Sequence, residues 1–169
     1  NTPGPVVILG GGVAGVELAM ACAHRLNGRA TVTVIDRGAL VEERADGTAA
    51  IVWKNPTFGM HFMSALRIGD HLYGVHGHGP QDAELVCIEV ATGREVWRDQ
   101  PLWTETVREA RGPREIRTGL FRAFLLAVDG QVLALGEFGH LARLDLSPQG
   151  VRVVERAWLF AATETWTPP

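Results

Sequence analysis

The pattern of apolar and polar positions along the chain changes near residue 50. Before that point, one helical pattern lies between two continuous apolar runs. After it, short runs rich in Val, Ile, Leu and aromatic residues recur between Gly, Asp, Asn and Pro. The first pattern is typical of a helix packed on buried strands, and the second of antiparallel β-structure. The sequence therefore predicts two units, residues 1–50 and residues 51–169.

The first unit is predicted to begin with a strand at Val6–Leu9, because four successive apolar residues suit burial on both faces. A helix is predicted over residues 16–26, which are rich in Ala, Leu and Met. Gly28 can adopt the left-handed conformation that ends many helices. A second strand follows over residues 31–35, and residues 38–50 are predicted to be a loop or a weak helix. This strand–helix–strand order predicts a Rossmann-type βαβ unit.

The second unit divides into two groups of four strands. The predicted strands cover residues 62–68, 71–76, 84–90 and 94–98, then 120–128, 131–136, 140–146 and 151–160. Trp97 and Trp158 each end a strand of their group, and Trp53 would close an earlier, incomplete group. Residues 100–118 are predicted to be an insertion, a solvated and partly helical loop. Repeated four-strand groups predict antiparallel, propeller-like sheets, about two blades; a single sandwich or barrel is the alternative. The predicted fold class is therefore mixed.

A glycine motif follows the first strand, since residues 10–15 read G-G-G-V-A-G. Gly10 permits a tight turn, Gly12 lets the backbone approach a pyrophosphate, and Gly15 lets the helix pack close to the strand. The free N–H groups at the start of the helix favour phosphate oxygens. The motif therefore predicts a dinucleotide site.

An acidic residue, Asp36, ends the second predicted strand, 21 residues after Gly15. Its carboxylate would accept hydrogen bonds from ribose hydroxyls and repel a 2′-phosphate, which favours NAD or FAD over NADP. Arg37 weakens that preference. The alternative is a glycine-rich turn with no ligand. The predicted cofactor-binding residues are Gly10, Gly11, Gly12, Val13, Ala14, Gly15, Asp36 and Arg37.

Residues 7–19, V-I-L-G-G-G-V-A-G-V-E-L-A, resemble the βαβ fingerprint of two-dinucleotide-binding flavoproteins, in particular pyridine nucleotide-disulfide oxidoreductases and type II NADH dehydrogenases. The resemblance implies FAD or NAD as cofactor, and the G-V-E-L-A continuation looks more like the nicotinamide-binding half. It covers only about 40 residues. The second nucleotide domain and the redox Cys-x-x-x-x-Cys pair of such enzymes have no counterpart in the sequence. Whether the chain is an enzyme therefore stays open.

Residues 85–97, L-V-C-I-E-V-A-T-G-R-E-V-W, resemble the repeat of pyrroloquinoline-quinone-like β-propeller proteins. In that repeat, Thr-Gly makes the turn and the terminal Trp docks between blades. The resemblance implies a scaffold and gives no support for binding of the quinone cofactor. Two blades leave open sheet edges, which favour a protein partner or self-association.

Other candidate chemistry is weaker. His76 and His78, with His61 or Asp82, are conceivable metal ligands, but a solvated loop is the favoured interpretation and no metal is predicted. Four arginines recur every third residue in the insertion and are interpreted as a solvated face. Two cysteines are too few for a disulfide framework, and each is expected to be a small buried apolar residue. The four arginines are Arg108, Arg111, Arg114 and Arg117, and the two cysteines are Cys22 and Cys87.

Composition limits the function classes. The net charge of -3 gives no electrostatic reason to bind nucleic acid, and no apolar run approaches the roughly 20 residues that span a bilayer. The nucleotide motif favours the cytoplasm, whereas the propeller resemblance is compatible with the periplasm. A fragment, a natural fusion and a constructed sequence all remain open. The leading hypothesis is dinucleotide binding by a relative of flavin or NAD oxidoreductases, and the alternative is a non-catalytic scaffold that binds protein partners.

Overall fold

The computed structural model describes residues 6–9, 13–27, 32–36, 39–43, 49–60, 63 and 65–165. These residues form fourteen strands and one helix, and the strands are arranged in three four-stranded sheets and one two-stranded hairpin. Nearly all neighbouring strands run antiparallel, so the fold is mostly antiparallel β-structure.

The first sheet has the strand order β1-β2-β3-β4. Strands β1 and β2 are parallel, and the helix α1 connects them. Ala19 of the helix packs with Val32 of β2 in a small buried cluster. The elements are β1 (Val6–Leu9), α1 (Val13–Leu26), β2 (Val32–Asp36), β3 (Ala39–Glu43) and β4 (Ala49–Lys54).

The predicted N-terminal Rossmann-type unit is wrong as a fold class. A Rossmann-type sheet grows by further parallel strands and crossover helices, whereas β2 is followed at once by β3 and β4, which pair antiparallel within the same sheet. These strands occupy most of residues 38–50, which were expected to be a loop or a weak helix. An Asp-Gly pair at residues 46–47 lies between their apolar runs, and that is a hairpin signal. Strand pairing outweighs the helical composition of this segment.

The second and third sheets are antiparallel meanders with the orders β5-β6-β7-β8 and β11-β12-β13-β14. The predicted propeller-like blades are not upheld, because the sheets do not close. The strands are β5 (Leu66–Ile68), β6 (His71–His76), β7 (Glu84–Glu89), β8 (Glu95–Asp99), β11 (Ala123–Val128), β12 (Gln131–Gly136), β13 (His140–Ser147) and β14 (Gly150–Trp158).

The predicted insertion is a β-hairpin, formed by β9 (Leu102–Glu109) and β10 (Gly112–Gly119). The expectation of a partly helical loop is therefore wrong. Side chains in β9 alternate between the two faces, with Trp103 and Val107 partly buried and Thr104 exposed. This period of two is the pattern of a strand with one covered face, and the arginine spacing concealed it.

The three four-stranded sheets share one irregularity, a one-residue bulge between the third and fourth strands. The bulge follows the pairs Leu40↔Trp53, Cys87↔Trp97 and Arg143↔Glu155 in the first, second and third sheets. Because a bulge fixes register, Trp53, Trp97 and Glu155 occupy the same position of the meander. The sequence comparison that equated Trp97 with Trp158 is therefore wrong by three residues.

The core consists of two main clusters, each lying between neighbouring sheets. Leu40 and Trp53 of the first sheet pack with Leu72, Val86 and Ile88 of the second. The other cluster joins the second sheet to the third through Val75, Leu85, Ala134, Ala142 and Leu144. The three sheets are thus stacked in chain order by burial of apolar surface.

Candidate functional site

Four of the predicted dinucleotide residues, Val13, Ala14, Gly15 and Asp36, belong to described elements of the first sheet and its helix. Strands β1 and β2 pair in parallel with the register Leu9↔Ile35. Asp36 follows Ile35 as the last residue of β2. Strand β1 ends at Leu9, and α1 begins four residues later, at Val13. Because the carboxyl ends of parallel strands meet at the same edge, the backbone of Asp36 and the start of α1 belong to that edge.

The backbone of this edge is formed by the first turn of α1 and the end of β2. Val13, Ala14 and Gly15 form the first turn of α1, and Asp36 pairs with Ala39 of β3. The N–H groups of a first helical turn have no partners within the helix and carry partial positive charge. The remaining predicted residues, which lie outside the described residues, are Gly10, Gly11, Gly12 and Arg37.

A tryptophan joins the first sheet to the second. The indole Nε1 of Trp53 donates a hydrogen bond of 2.6 Å to the carbonyl oxygen of Val90. Its ring lies against Gly93, where a Cβ atom would be 2.3 Å from Cδ2 of Trp53, and Gly93 has a φ of 71°. Asn55 donates a further hydrogen bond of 2.7 Å to the carbonyl oxygen of Gly93. The Trp53 ring therefore packs against the turn between β7 and β8.

A second tryptophan joins the second sheet to the third in the same manner. The indole Nε1 of Trp97 donates a hydrogen bond of 2.8 Å to the carbonyl oxygen of Ser147, at the end of β13. The Trp97 ring also lies 5.9 Å from the ring of Tyr73, within the range of favourable aromatic contacts. At both junctions, an indole ring of one sheet thus donates a hydrogen bond to a backbone carbonyl of the next sheet.

Sequence reasoning missed an aromatic cluster around His140. This residue is directly opposite Trp158 on the neighbouring strand, and the two rings stack with centroids 5.1 Å apart. Trp103 of the hairpin meets the same imidazole edge-on at 5.4 Å. Burial lowers the pKa of His140 below its ordinary value of 6.5. The three rings come from three separate strands, so no local pattern in the sequence connects them; the period of two in β9 was the one available signal.

A buried ion pair lies close by in sequence. The carboxylate of Glu137, which is 2% exposed, accepts a hydrogen bond from the guanidinium of Arg122. The same guanidinium contacts Glu164 at 3.3 Å and so holds the segment that follows β14. These carboxylates raise the pKa of Arg122, chiefly through the hydrogen bond to Glu137. A buried charge needs an oppositely charged partner, and Arg122 is that partner for Glu137.

The conceivable metal ligands instead brace a loop. The carboxylate of Asp82 accepts hydrogen bonds from the backbone N–H groups of His78 at 3.0 Å and Gly79 at 2.8 Å, and these bonds hold the pKa of that carboxyl below its usual range. Nδ1 of His76 lies 3.0 Å from the backbone nitrogen of Gly59. His61 lies outside the described residues. Within the part of the chain that the structure describes, no three such side chains are placed to hold a metal ion.

The remaining candidate residues are the arginines of the hairpin and the two cysteines. Arg114 forms an ion pair of 2.9 Å with Glu109 across the hairpin, while Arg108, Arg111 and Arg117 are exposed. Cys87 is buried, and burial raises the pKa of its thiol, whereas Cys22 is partly exposed. No helix among the described residues is long and apolar enough to cross a membrane.

No protein-family model matches the sequence, and no curated protein is significantly similar to it.

Proposed function

We propose that the chain binds a dinucleotide, FAD or NAD, at the edge where β1, β2 and the start of α1 meet. The observation that carries this proposal is the parallel pairing of β1 with β2 in the register Leu9↔Ile35. That register supports a common edge for the glycine-rich connection, the positive end of the helix and Asp36. The proposal concerns this edge alone and requires no doubly wound domain.

The chemistry of such a site follows from the residue types. Gly10 and Gly12 leave room for a pyrophosphate to approach the backbone, because neither has a Cβ atom. The unpaired N–H groups of α1 would donate to the phosphate oxygens. The carboxylate of Asp36 would accept hydrogen bonds from the ribose hydroxyls. Any redox chemistry would belong to the bound cofactor.

The first test is a calorimetric titration with ADP-ribose, which carries the pyrophosphate and the adenosine half common to NAD and FAD. We expect saturable binding, weakened about 10- to 100-fold in Asp36→Ala, because a hydrogen bond to a charged group contributes about 1.5–3 kcal/mol. Gly12→Val should abolish binding by filling the space for the phosphates.

The matched control is Asp70→Ala, which removes an exposed aspartate from the turn between β5 and β6. It should bind ADP-ribose like the wild type. Absence of heat at millimolar ligand, from a protein that melts cooperatively, would rule out the dinucleotide proposal. Equal loss of affinity in both aspartate variants would show that general charge, and not Asp36, is responsible.

A second candidate function is a non-catalytic scaffold that binds protein partners. It is favoured by the serial connection of the sheets through Trp53 and Trp97, since, among the described residues, each sheet keeps edge strands that pair with no other sheet. A scaffold of this kind would be unaffected by Asp36→Ala. Sedimentation velocity over a range of concentrations would detect self-association through the open edges, and a constant monomeric coefficient would contradict that mode of pairing.

A further inference from the structure

The β9–β10 hairpin lies against the third sheet through His140. This residue begins β13 and is 1% exposed. Its ring stacks on Trp158 of β14 and makes a T-shaped contact with Trp103 of β9. His140 therefore lies between the hairpin and the sheet, and its contacts connect the two.

Two charged groups face the buried imidazole, one from each side of this junction. Oε1 of Glu105, on β9, is 4.0 Å from Nε2 of His140 and 3.2 Å from Nε of Arg156, on β14. The Arg156 guanidinium also lies 5.2 Å from the centre of the Trp103 ring. Glu105 thus already has a cationic partner from the sheet.

Both ring nitrogens of His140 are buried without a hydrogen-bond partner among the described residues. A neutral imidazole brings one N–H donor and no net charge into this environment, where it stacks on Trp158. An imidazolium would carry a full charge and two N–H donors into the same place, and burial of an unpaired charge is strongly unfavourable. Glu105 offers one acceptor, but the bond would compete with its contact to Arg156.

We propose that His140 is a pH-sensitive latch: when neutral it holds the β9–β10 hairpin against the third sheet, and when protonated it releases the hairpin. The event is the uptake of one proton from solvent by the imidazole. The sheet itself remains folded, because its own strand pairing does not involve the hairpin.

The direction of the pH dependence follows from proton linkage. Burial lowers the pKa of His140 in the docked state, Arg156 acts in the same direction, and Glu105 opposes them. The open state, with a solvated ring, therefore binds the proton more readily than the docked state. Docking is fully stable above the ordinary pKa of 6.5 and weakens as the pH falls from there towards the lower pKa of the docked ring.

The test is hydrogen exchange of the backbone amides in residues 102–119, measured on the full chain from pH 8 to pH 5 and corrected for the intrinsic rates. Protection of the hairpin should fall below about pH 6.5, by at most about tenfold per pH unit, the limit for one proton. Amides of β6 and β7 should keep their protection. Unchanged hairpin protection across this range would overturn the proposal.

Two variants separate the latch from a general effect of acid. His140→Phe keeps an aromatic ring and should make hairpin protection independent of pH, whereas His78→Gln, in the exposed loop before β7, should keep the wild-type profile. A wild-type profile in His140→Phe contradicts the proposal. If that variant fails to fold, Glu105→Gln supplies the test: without the carboxylate the pKa of the docked ring is lowered further, so the fall in protection should still begin near pH 6.5 and be at least as large as in the wild type by pH 5. A smaller fall, or none, contradicts the latch.

Discussion

The second and third sheets have the same strand order and the same bulge, yet they differ at one equivalent position of the last strand. Trp97 occupies it in the second sheet and is hydrogen-bonded to the third sheet. Glu155 occupies it in the third sheet, where its side chain is 73% exposed and paired with Arg143 at 3.2 Å. A large aromatic residue is therefore present where a neighbouring sheet covers the position, and a charged one where water does.

The first sheet extends this comparison. Trp53 occupies the same position again, and its indole is hydrogen-bonded to the second sheet. The two covered positions bury a ring and satisfy its N–H, whereas the uncovered position does neither. We infer that these indoles hold the stacked sheets together. The residue type at this position, aromatic or charged, is set by whether a neighbouring sheet covers it.

The largest expected effect is that of removing a fastening indole. Trp53→Ala should lower the free energy of unfolding by about 3–5 kcal/mol, because it deletes a buried aromatic side chain and leaves a cavity. Trp97→Ala should cost less, since this ring is only partly buried. Urea unfolding followed by circular dichroism measures both.

The register-matched control is Glu155→Ala, which should change stability by no more than about 0.5 kcal/mol, as is usual for exposed positions. Trp97→Phe keeps the ring and removes the N–H donor, so it should fall between wild type and Trp97→Ala. If Glu155→Ala destabilised as much as Trp53→Ala, the position would be important for reasons internal to each sheet, and the comparison would fail.

Turn chemistry made much of the β-structure predictable from the sequence. The predicted strands at residues 71–76 and 131–136 have the same limits as β6 and β12. Asp129 and Gly130 both have positive φ, 48° and 75°, which explains why this dipeptide marks a hairpin. Register is different, because the residues that the three bulges leave unpaired are Val52, Val96 and Val154, which are ordinary strand residues without a turn signal. Trp158 was therefore mistaken for the equivalent of Trp97.

Long-range contacts set the limit for the sites. The latch cluster joins residues 103, 140 and 158, and no local pattern brings them together. In the first sheet, a strand–helix–strand pattern was extended to a fold class that β3 and β4 contradict. The dinucleotide site at Asp36 stays a prediction, since its basis is a local motif whose ligand remains to be tested.

A smaller effect is expected from a substitution at Gly93, in the turn against which the Trp53 ring packs. Gly93→Ala should cost about 2–3 kcal/mol, because alanine is strained at a φ of 71° and its methyl group would overlap the Trp53 ring. Gly130→Ala provides the control, since Gly130 has a φ of 75° and open space around it. It should cost about 1 kcal/mol from strain alone. Equal losses in the two variants would mean that the ring contact contributes nothing.

The smallest effect tests the residue that follows each compared position. Arg98 and Arg156 pair with equivalent residues of their sheets, but Arg98 contacts Glu84 at 2.9 Å, Glu95 at 2.7 Å and the carbonyl oxygen of Thr57 at 2.9 Å. Arg98→Met should therefore cost about 1–2 kcal/mol, and Arg156→Met, whose arginine side chain is more exposed, about 0.5 kcal/mol. Thermal melts at neutral pH compare the two variants.

The acid limb of the same experiment gives the sharper distinction. The hydrogen bond from Arg98 is the main cause that lowers the pKa of Glu95 below its ordinary value of 4.5. A carboxyl whose pKa is lowered by folding stabilises the protein above its unfolded pKa, and this stability is lost as the pH falls through the folded value. Arg98→Met should therefore lose less stability than the wild type between pH 5 and pH 3, so that the two curves converge. Parallel curves would show that Arg98 acts through the packing of its aliphatic stem, and that its charge does not distinguish the second sheet from the third.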